Sequence, residues 1–240
     1  MPLVQSVARS LEILETLAGE PELGLVEIAT RAGLQPSTAH RLLATLVARG
    51  YATHDGASGR YALGYKVAQL AGDRGERLRA LARPHLAIVQ RETGETANLC
   101  ILAVPNVIYV DQVDGTRAVR MLARIGAAVP AHASAAGKAM LAHIPPEIVT
   151  ALALPPLTRR TITDHRALER ELTAIRARGW ALDEEEHETG LGCLAAAIVV
   201  AGRAAGALSV SAPIGRIRPA FGALLAAQAS EIATGFGYPA

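Results

Sequence analysis

One stretch of this chain concentrates polar side chains of several kinds: Ser37, Thr38, His40 and Arg41, preceded by Gln35 and followed by Thr45. Hydroxyls, an amide, an imidazole and a guanidinium supply the donors and acceptors that read base edges or hold phosphates. A second set lies far downstream. Asp183, His187 and Cys193 are the types that serve as orienter, base and thiol nucleophile, or as ligands to zinc. Ser209 and Ser211 stand two apart, so on a strand both hydroxyls face the same way. Between the two sets, HASAAGK (132–138) places Ser134 ahead of Ala135 and Ala136 at a strand-to-helix turn. Backbone amides at such a helix start can hold a carboxylate without any arginine, and Ser134 can equally be an ordinary helix cap.

Each set needs elements to position it. Ser6 is expected to cap a helix with Val7, Leu11, Leu14 and Leu17 on one face and Arg9, Glu12 and Glu15 turned away. A short helix over 25–32 ends at Gly33, which suits the left-handed position past a helix end. Pro36 then opens a third helix, whose apolar stripe is Ala39, Leu42, Leu43, Leu46 and Val47. Two helices joined through a glycine-containing turn form a helix-turn-helix, with the polar end of the second helix directed at a major groove. Residues 51–54 and 60–63 alternate in polarity around DGASG, predicting a hairpin in the position of a wing. His54 and Arg60 are expected near its tip, with Arg60 and Arg41 on phosphates and Thr38 and His40 on bases.

Charge supports this placement. The net charge is only +2, yet over 35–66 Arg41, Arg49, Arg60 and Lys66 face Asp55 alone, while basic and acidic residues balance over 84–240. With 240 residues, half of them hydrophobic, the chain has material for two domains. The apolar runs 193–201 and 204–212 fall short of the ~20 residues a membrane span needs, and the N-terminus lacks a secretion pattern. A cytoplasmic protein without membrane partners is expected. Two cysteines exclude a disulfide framework and a multi-cysteine zinc knuckle. Two Phe, five Tyr and one Trp are too few for a pocket built on stacking, which favours a compact aliphatic or carboxylate-bearing ligand.

A helix over 64–74, interrupted by Gly72 and Gly75, leads to a longer one over 76–93 that Pro84 is expected to bend or restart. Strands are predicted over 96–103, 107–113, 119–123, 181–185, 194–201 and 205–212, and helices over 135–143, 167–178 and 219–235. This is an α+β pattern, an antiparallel sheet with helices packed on it.

SVARSLEILETLA, GLVEIATRAGLQPSTAHRLLATLVARGYA and GRYALGYKV together resemble the N-terminal domain of IclR-family bacterial regulators. The likeness continues through ARPHLAIVQRETGETANL, VRMLARIGAAVPAHASAAGKAMLA, RARGWALDEEEHETGLGCLAAAI and ALSVSAP, so it runs from about Ser6 to Gly235. It implies a winged helix-turn-helix over 1–63, a helical linker over 64–78 and a GAF-like effector-binding domain over 79–240. It also implies operator DNA and a small-molecule effector as partners, and self-association as dimer or tetramer. No cofactor, metal or catalytic residue is expected. In the effector site the resemblance implies Asp183, Cys193, Ser209 and Ser211, with Met121 and Leu122 as apolar wall beside Ser134, Ala135 and Ala136. Gly192 stands where an arginine is common in the family, and Ala197 where a proline is frequent. The residues leave three other readings: a Cys193 enzyme, a metal sensor using His187, Asp183 and Cys193, and an interaction module without DNA contact.

Overall fold

The computed structural model describes residues 4–20, 22–71, 74–121 and 123–237, and the chain divides into two compact units, Met1–Gly75 and Glu76–Ala240. In the first unit the order is α1 (Gln5–Ala18), β1 (Leu23–Gly24), α2 (Leu25–Arg31), α3 (Pro36–Ala48), β2 (Ala52–His54), β3 (Arg60–Leu63) and α4 (Tyr65–Ala71). The three strands form an antiparallel sheet in the order β1-β3-β2. Ile13, Leu17, Ile28, Leu43, Leu46 and Tyr61 make its core.

Local chemistry sets the joints. Gly33 adopts a φ of +63° after α2, and Leu34 N–H donates to Ala29 O at 2.8 Å, the left-handed closure that an L side chain resists. Pro36 occupies the first turn of α3, where its missing amide leaves no bond unmade. Ser6 does not cap α1: the helix starts at Gln5 behind Val4, and no side chain caps it. The apolar face of α1 also differs from the predicted stripe. Ile13 and Leu17 are buried, while Val7 and Leu11 are 56% and 53% exposed. The face that meets α2 and α3 is set by Ile13, which the stripe through Val7 and Leu11 passes by.

The second unit runs α5 (Arg74–Thr93), β4 (Thr96–Ala103), β5 (Asn106–Val113), β6 (Ala128–Pro130), a 3₁₀ turn (Ala131–Ala133), α6 (Ala135–Leu141), α7 (Pro146–Thr150), α8 (His165–Arg178), β7 (Ala181–Glu184), β8 (Leu191–Val200), β9 (Arg203–Pro213), a second 3₁₀ turn (Ile214–Arg216) and α9 (Pro219–Gly237). Its antiparallel sheet has the order β6-β5-β4-β9-β8-β7. Alternation along β9 divides the two faces: Leu208 and Val210 pack with α5 and α9, while Ala207, Ser209 and Ser211 take the opposite side, where Ala207 joins the core of α6 and α8.

Three expectations change here. The strand expected over 119–123 is not seen among its described residues: Met121 is half-buried in a loop whose neighbours Val119 and Arg120 are exposed, and Leu122 lies outside the described residues. A strand needs a partner edge, and β5 pairs instead with β6. Helix α5 continues through Pro84 rather than restarting, with Leu78, Ala82, Leu86 and Val89 buried along one side. One lost backbone bond is outweighed by that burial. Gly75 falls inside α5, and Gly72 lies outside the described residues.

Candidate DNA interface and sensor cavity

Helix α3 buries Ala39, Leu43 and Leu46 and presents its other side to solvent. Gln35, Ser37, His40, Arg41 and Thr45 are exposed and Thr38 is half-buried, so six predicted contact residues share one helix and its cap. Thr45 Oγ1 donates back to Arg41 O at 3.1 Å, leaving its lone pairs free to accept. The wing turn is closed by Asp55, whose carboxylate accepts from the Ala57 amide at 2.9 Å and Ser58 Oγ at 2.6 Å. The Ser58 hydroxyl, followed by those backbone amides, holds Asp55 below the usual carboxylate range.

Arg60 directly follows the wing turn, its carbonyl accepting from the Asp55 amide at 2.9 Å, but its guanidinium is engaged within the domain. The residue pairs in register with Gly24 of β1, and its guanidinium donates to Glu22 O at 3.0 Å and meets Glu27 Oε2 at 3.4 Å. Glu27 in turn accepts from the Gly24 amide at 2.8 Å. His54 stacks on Tyr61 at 4.4 Å between ring centroids, in the strand pair next to the turn. The tip itself is Asp55 to Gly59.

In the second unit, strand register assembles a polar row on the α6 side of the sheet: Asp183 pairs with Cys193, Cys193 with Ser211, and Ser209 with Asn98. Asn98 Nδ2 donates to Ser209 Oγ at 3.4 Å and to Ser211 Oγ at 3.3 Å, and Cys193 Sγ lies 3.3 Å from Ser211 Oγ. Asn98 Oδ1 is buried with no hydrogen-bond partner among the described residues. Above this floor, Ser134 caps α6 by accepting from the Gly137 amide at 3.2 Å. The amides of Ala135 and Ala136 have no partner among the described residues, as first-turn amides do when no side chain reaches them. Gly137 is required for this geometry, because a Cβ there would collide with the backbone of Ala131.

A cavity lies between the two layers. Ser134, Ala135, Ala136, Asp183, Cys193 and Ser209 line it together with Tyr109, His187, Leu191 and Val129. It has about 20 Å³ open to the centre of a water-sized sphere. Ser211 sits on the same sheet face outside this lining, and Met121 packs against the surrounding apolar cluster. Gly192 has no room for the arginine common at its position: a Cβ would come 2.7 Å from Ile217 and 2.8 Å from Ile214.

Burial pushes the Asp183 carboxyl up to about 6, against the opposing pull of the Glu186 amide at 2.7 Å and of Lys138. Burial raises Cys193 far above its ordinary range and Cys100 to about 12. These thiols are small buried hydrophobes, the opposite of an activated nucleophile. Among the described residues, no three His, Cys, Asp or Glu side chains are grouped to hold a metal ion, and no helix is long and apolar enough to cross a membrane. Sequence reasoning missed Asn98, Tyr109 and the buried pair of Lys138 and Glu186. Lys138 Nζ donates to Leu182 O at 2.7 Å and to Glu186 Oε1, tying α6 to the turn after Asp183. A lysine in the middle of a wholly buried helix was the signal available.

A winged helix-turn-helix in one chain with a sheet domain enclosing a polar cavity defines a regulator class that couples DNA binding to sensing. Residues 6–56 match the IclR helix-turn-helix domain, and residues 74–234 match the bacterial transcriptional regulator IclR C-terminal domain. The transcriptional repressor IclR of Escherichia coli K12 is 38% identical over 98% of this chain and 90% of its own length. The HTH-type transcriptional regulator BhcR of Paracoccus denitrificans is 39% identical over 90% of this chain and 80% of its own length. An IclR homolog from Microbacterium hydrocarbonoxydans, crystallised with 4-hydroxybenzoate, superposes with a TM-score of 0.77 at 30% identity, covering 96% of this chain and 98% of that one. This chain belongs to the IclR family of DNA-binding transcriptional regulators.

Proposed function

We propose that α3 enters the major groove of operator DNA with Ser37, Thr38, His40 and Arg41, and that a small carboxylic acid binds the cavity of the second unit and alters operator affinity. The observation that carries the sensing half is the meeting, around one cavity, of unpartnered amides at Ala135 and Ala136 with Asp183, Cys193 and Ser209. The amides meet the carboxylate, while Ser209 and a protonated Asp183 donate to it or to a second oxygen. The relative crystallised with 4-hydroxybenzoate supports an acid as the ligand class. With about 20 Å³ of open volume and Tyr109 as its one aromatic wall, this cavity favours a compact aliphatic acid, and a larger one must push its lining outward.

Coupling runs through the linker at 64–78, and its size is set by the effector's differential affinity for DNA-competent and DNA-incompetent states, typically ~1–3 kcal/mol. The exposed Val7 and Leu11 on α1, with Val4 just ahead of the helix, support self-association, which gives two half-sites one reader each. Such a regulator works in the cytoplasm, where its operator is. The test is a thermal-shift screen of two- to six-carbon acids on the whole protein, followed by anisotropy on a duplex from its own upstream region. A binder should raise the melting temperature and change operator affinity. Absence of any acid that does both would refute the sensing half.

A further inference from the structure

In the first unit a groove of about 430 Å³ lies between α1 and α3, away from the wing. From α1 it is lined by Gln5, Ser6 and Arg9, and from α3 by Thr38, Arg41 and Thr45, with Leu42 as the apolar floor. Among the described residues no acidic side chain lines it. Arg9 and Arg41 are both exposed, and neither side chain has a hydrogen-bond or ion-pair partner among the described residues. Contrast Arg60 and Arg31, whose guanidiniums are already neutralised by Glu27 and Glu20.

Two guanidiniums flanking one groove without a counter-charge repel each other, and an anion between them relieves that repulsion. The planar, always-charged fork of arginine suits phosphate oxygens in particular. The hydroxyls of Ser6 and Thr38 and the amide of Gln5 add neutral donors, while the Thr45 hydrogen is already given to Arg41 O. Both helices also turn their positive ends toward the groove: Gln5 and Ser6 lie in the first turn of α1 and Thr38 in that of α3, and neither turn carries an acid.

We propose that this groove seats a backbone phosphate of the operator between Arg9 and Arg41, making α1 a second DNA-contacting element beside α3. The proposal rests on the reading of α3 given above and adds to it a residue that periodicity assigns to the far side of α1. Arg9 positions the helix on the duplex without reading sequence, as phosphate contacts do.

The experiment is fluorescence anisotropy of the whole protein on its upstream duplex and on an unrelated duplex, from ~50 to ~300 mM salt. Arg9→Ala should weaken both duplexes by a similar factor, about five- to tenfold per protomer bound, and lower the salt slope by about one per protomer. Gln5→Glu, which places a negative charge in the groove without removing a side chain, should weaken both in the same way. It keeps the test valid should Arg9→Ala unfold the domain. Inorganic phosphate, compared with chloride at equal ionic strength, should compete little, because a free ion gains only one of the many contacts a duplex makes. Strong competition by phosphate would identify a free-anion site instead. Unchanged affinity and slope in both variants would overturn the proposal while leaving α3 as reader, provided Thr38→Ala still impairs the upstream duplex. Wild-type binding that does not distinguish the two duplexes would overturn the operator reading itself.

Discussion

Replacing Asp183 with Asn tests the sensor cavity through a proton. Asp183 is only 1% exposed, and burial moves its carboxyl from 3.8 to about 6. The folded chain therefore binds this proton more tightly than the unfolded chain. Stability from this group is complete below the unfolded value and is lost as pH rises through the folded one, by about 3 kcal/mol in all. Asn cannot titrate, yet its side-chain oxygen can still accept from the Glu186 amide that Asp183 Oδ1 holds at 2.7 Å. Lys138 and Glu186 are present in both proteins, so most of their own pH dependence cancels in the difference. Between about pH 4 and about pH 7 the variant should gain about 3 kcal/mol relative to wild type, or roughly 6–12 °C in Tm for a domain of this size. Scanning calorimetry of both proteins across that range is the assay. An effector carboxylate facing a protonated Asp183 would also bind more tightly as pH falls through about 6, and the variant should lose that dependence. A Tm difference that stays flat with pH would refute the reasoning, because Asp183 would then hold the same proton count folded and unfolded.

Other outcomes follow from the same geometry. Arg41→Ala should weaken all duplexes alike and lower the salt slope by about one per protomer, whereas Arg60→Ala should do less because its guanidinium is engaged by Glu27; anisotropy with salt titration separates them, and Glu27→Gln should free Arg60 to contribute. Ser209→Ala with Ser211→Ala should cost an acid effector up to about 1.5 kcal/mol per lost hydrogen bond by calorimetry, while operator affinity without effector stays within a factor of two or so; undiminished binding would misplace the pocket. Gly137→Ala should destabilise the second unit by about 3 kcal/mol, seen as a lower Tm, because the collision is with the Ala131 backbone rather than with a movable side chain.

Much of the first unit was legible because its determinants are local. A proline at a helix start, a glycine with positive φ after α2 and an apolar stripe along α3 each act within a few residues, so periodicity and turn chemistry place the recognition helix and wing directly. Period two likewise put Ser209 and Ser211 on one face of β9. Tertiary structure decided what those residues touch. Arg60 met Glu27 across 33 positions because β3 pairs with β1, a two-residue strand too short to show a pattern. Asn98 joined serines 111 and 113 positions away only because β4 and β9 are neighbours, and Lys138 found Glu186 across 48 positions through the packing of α6 on the sheet. Residues 119–121 and 123, expected as part of a strand, found no edge to pair with. An apolar or polar period states which way a side chain faces; strand order and register, which depend on contacts across the whole domain, decide what it meets there.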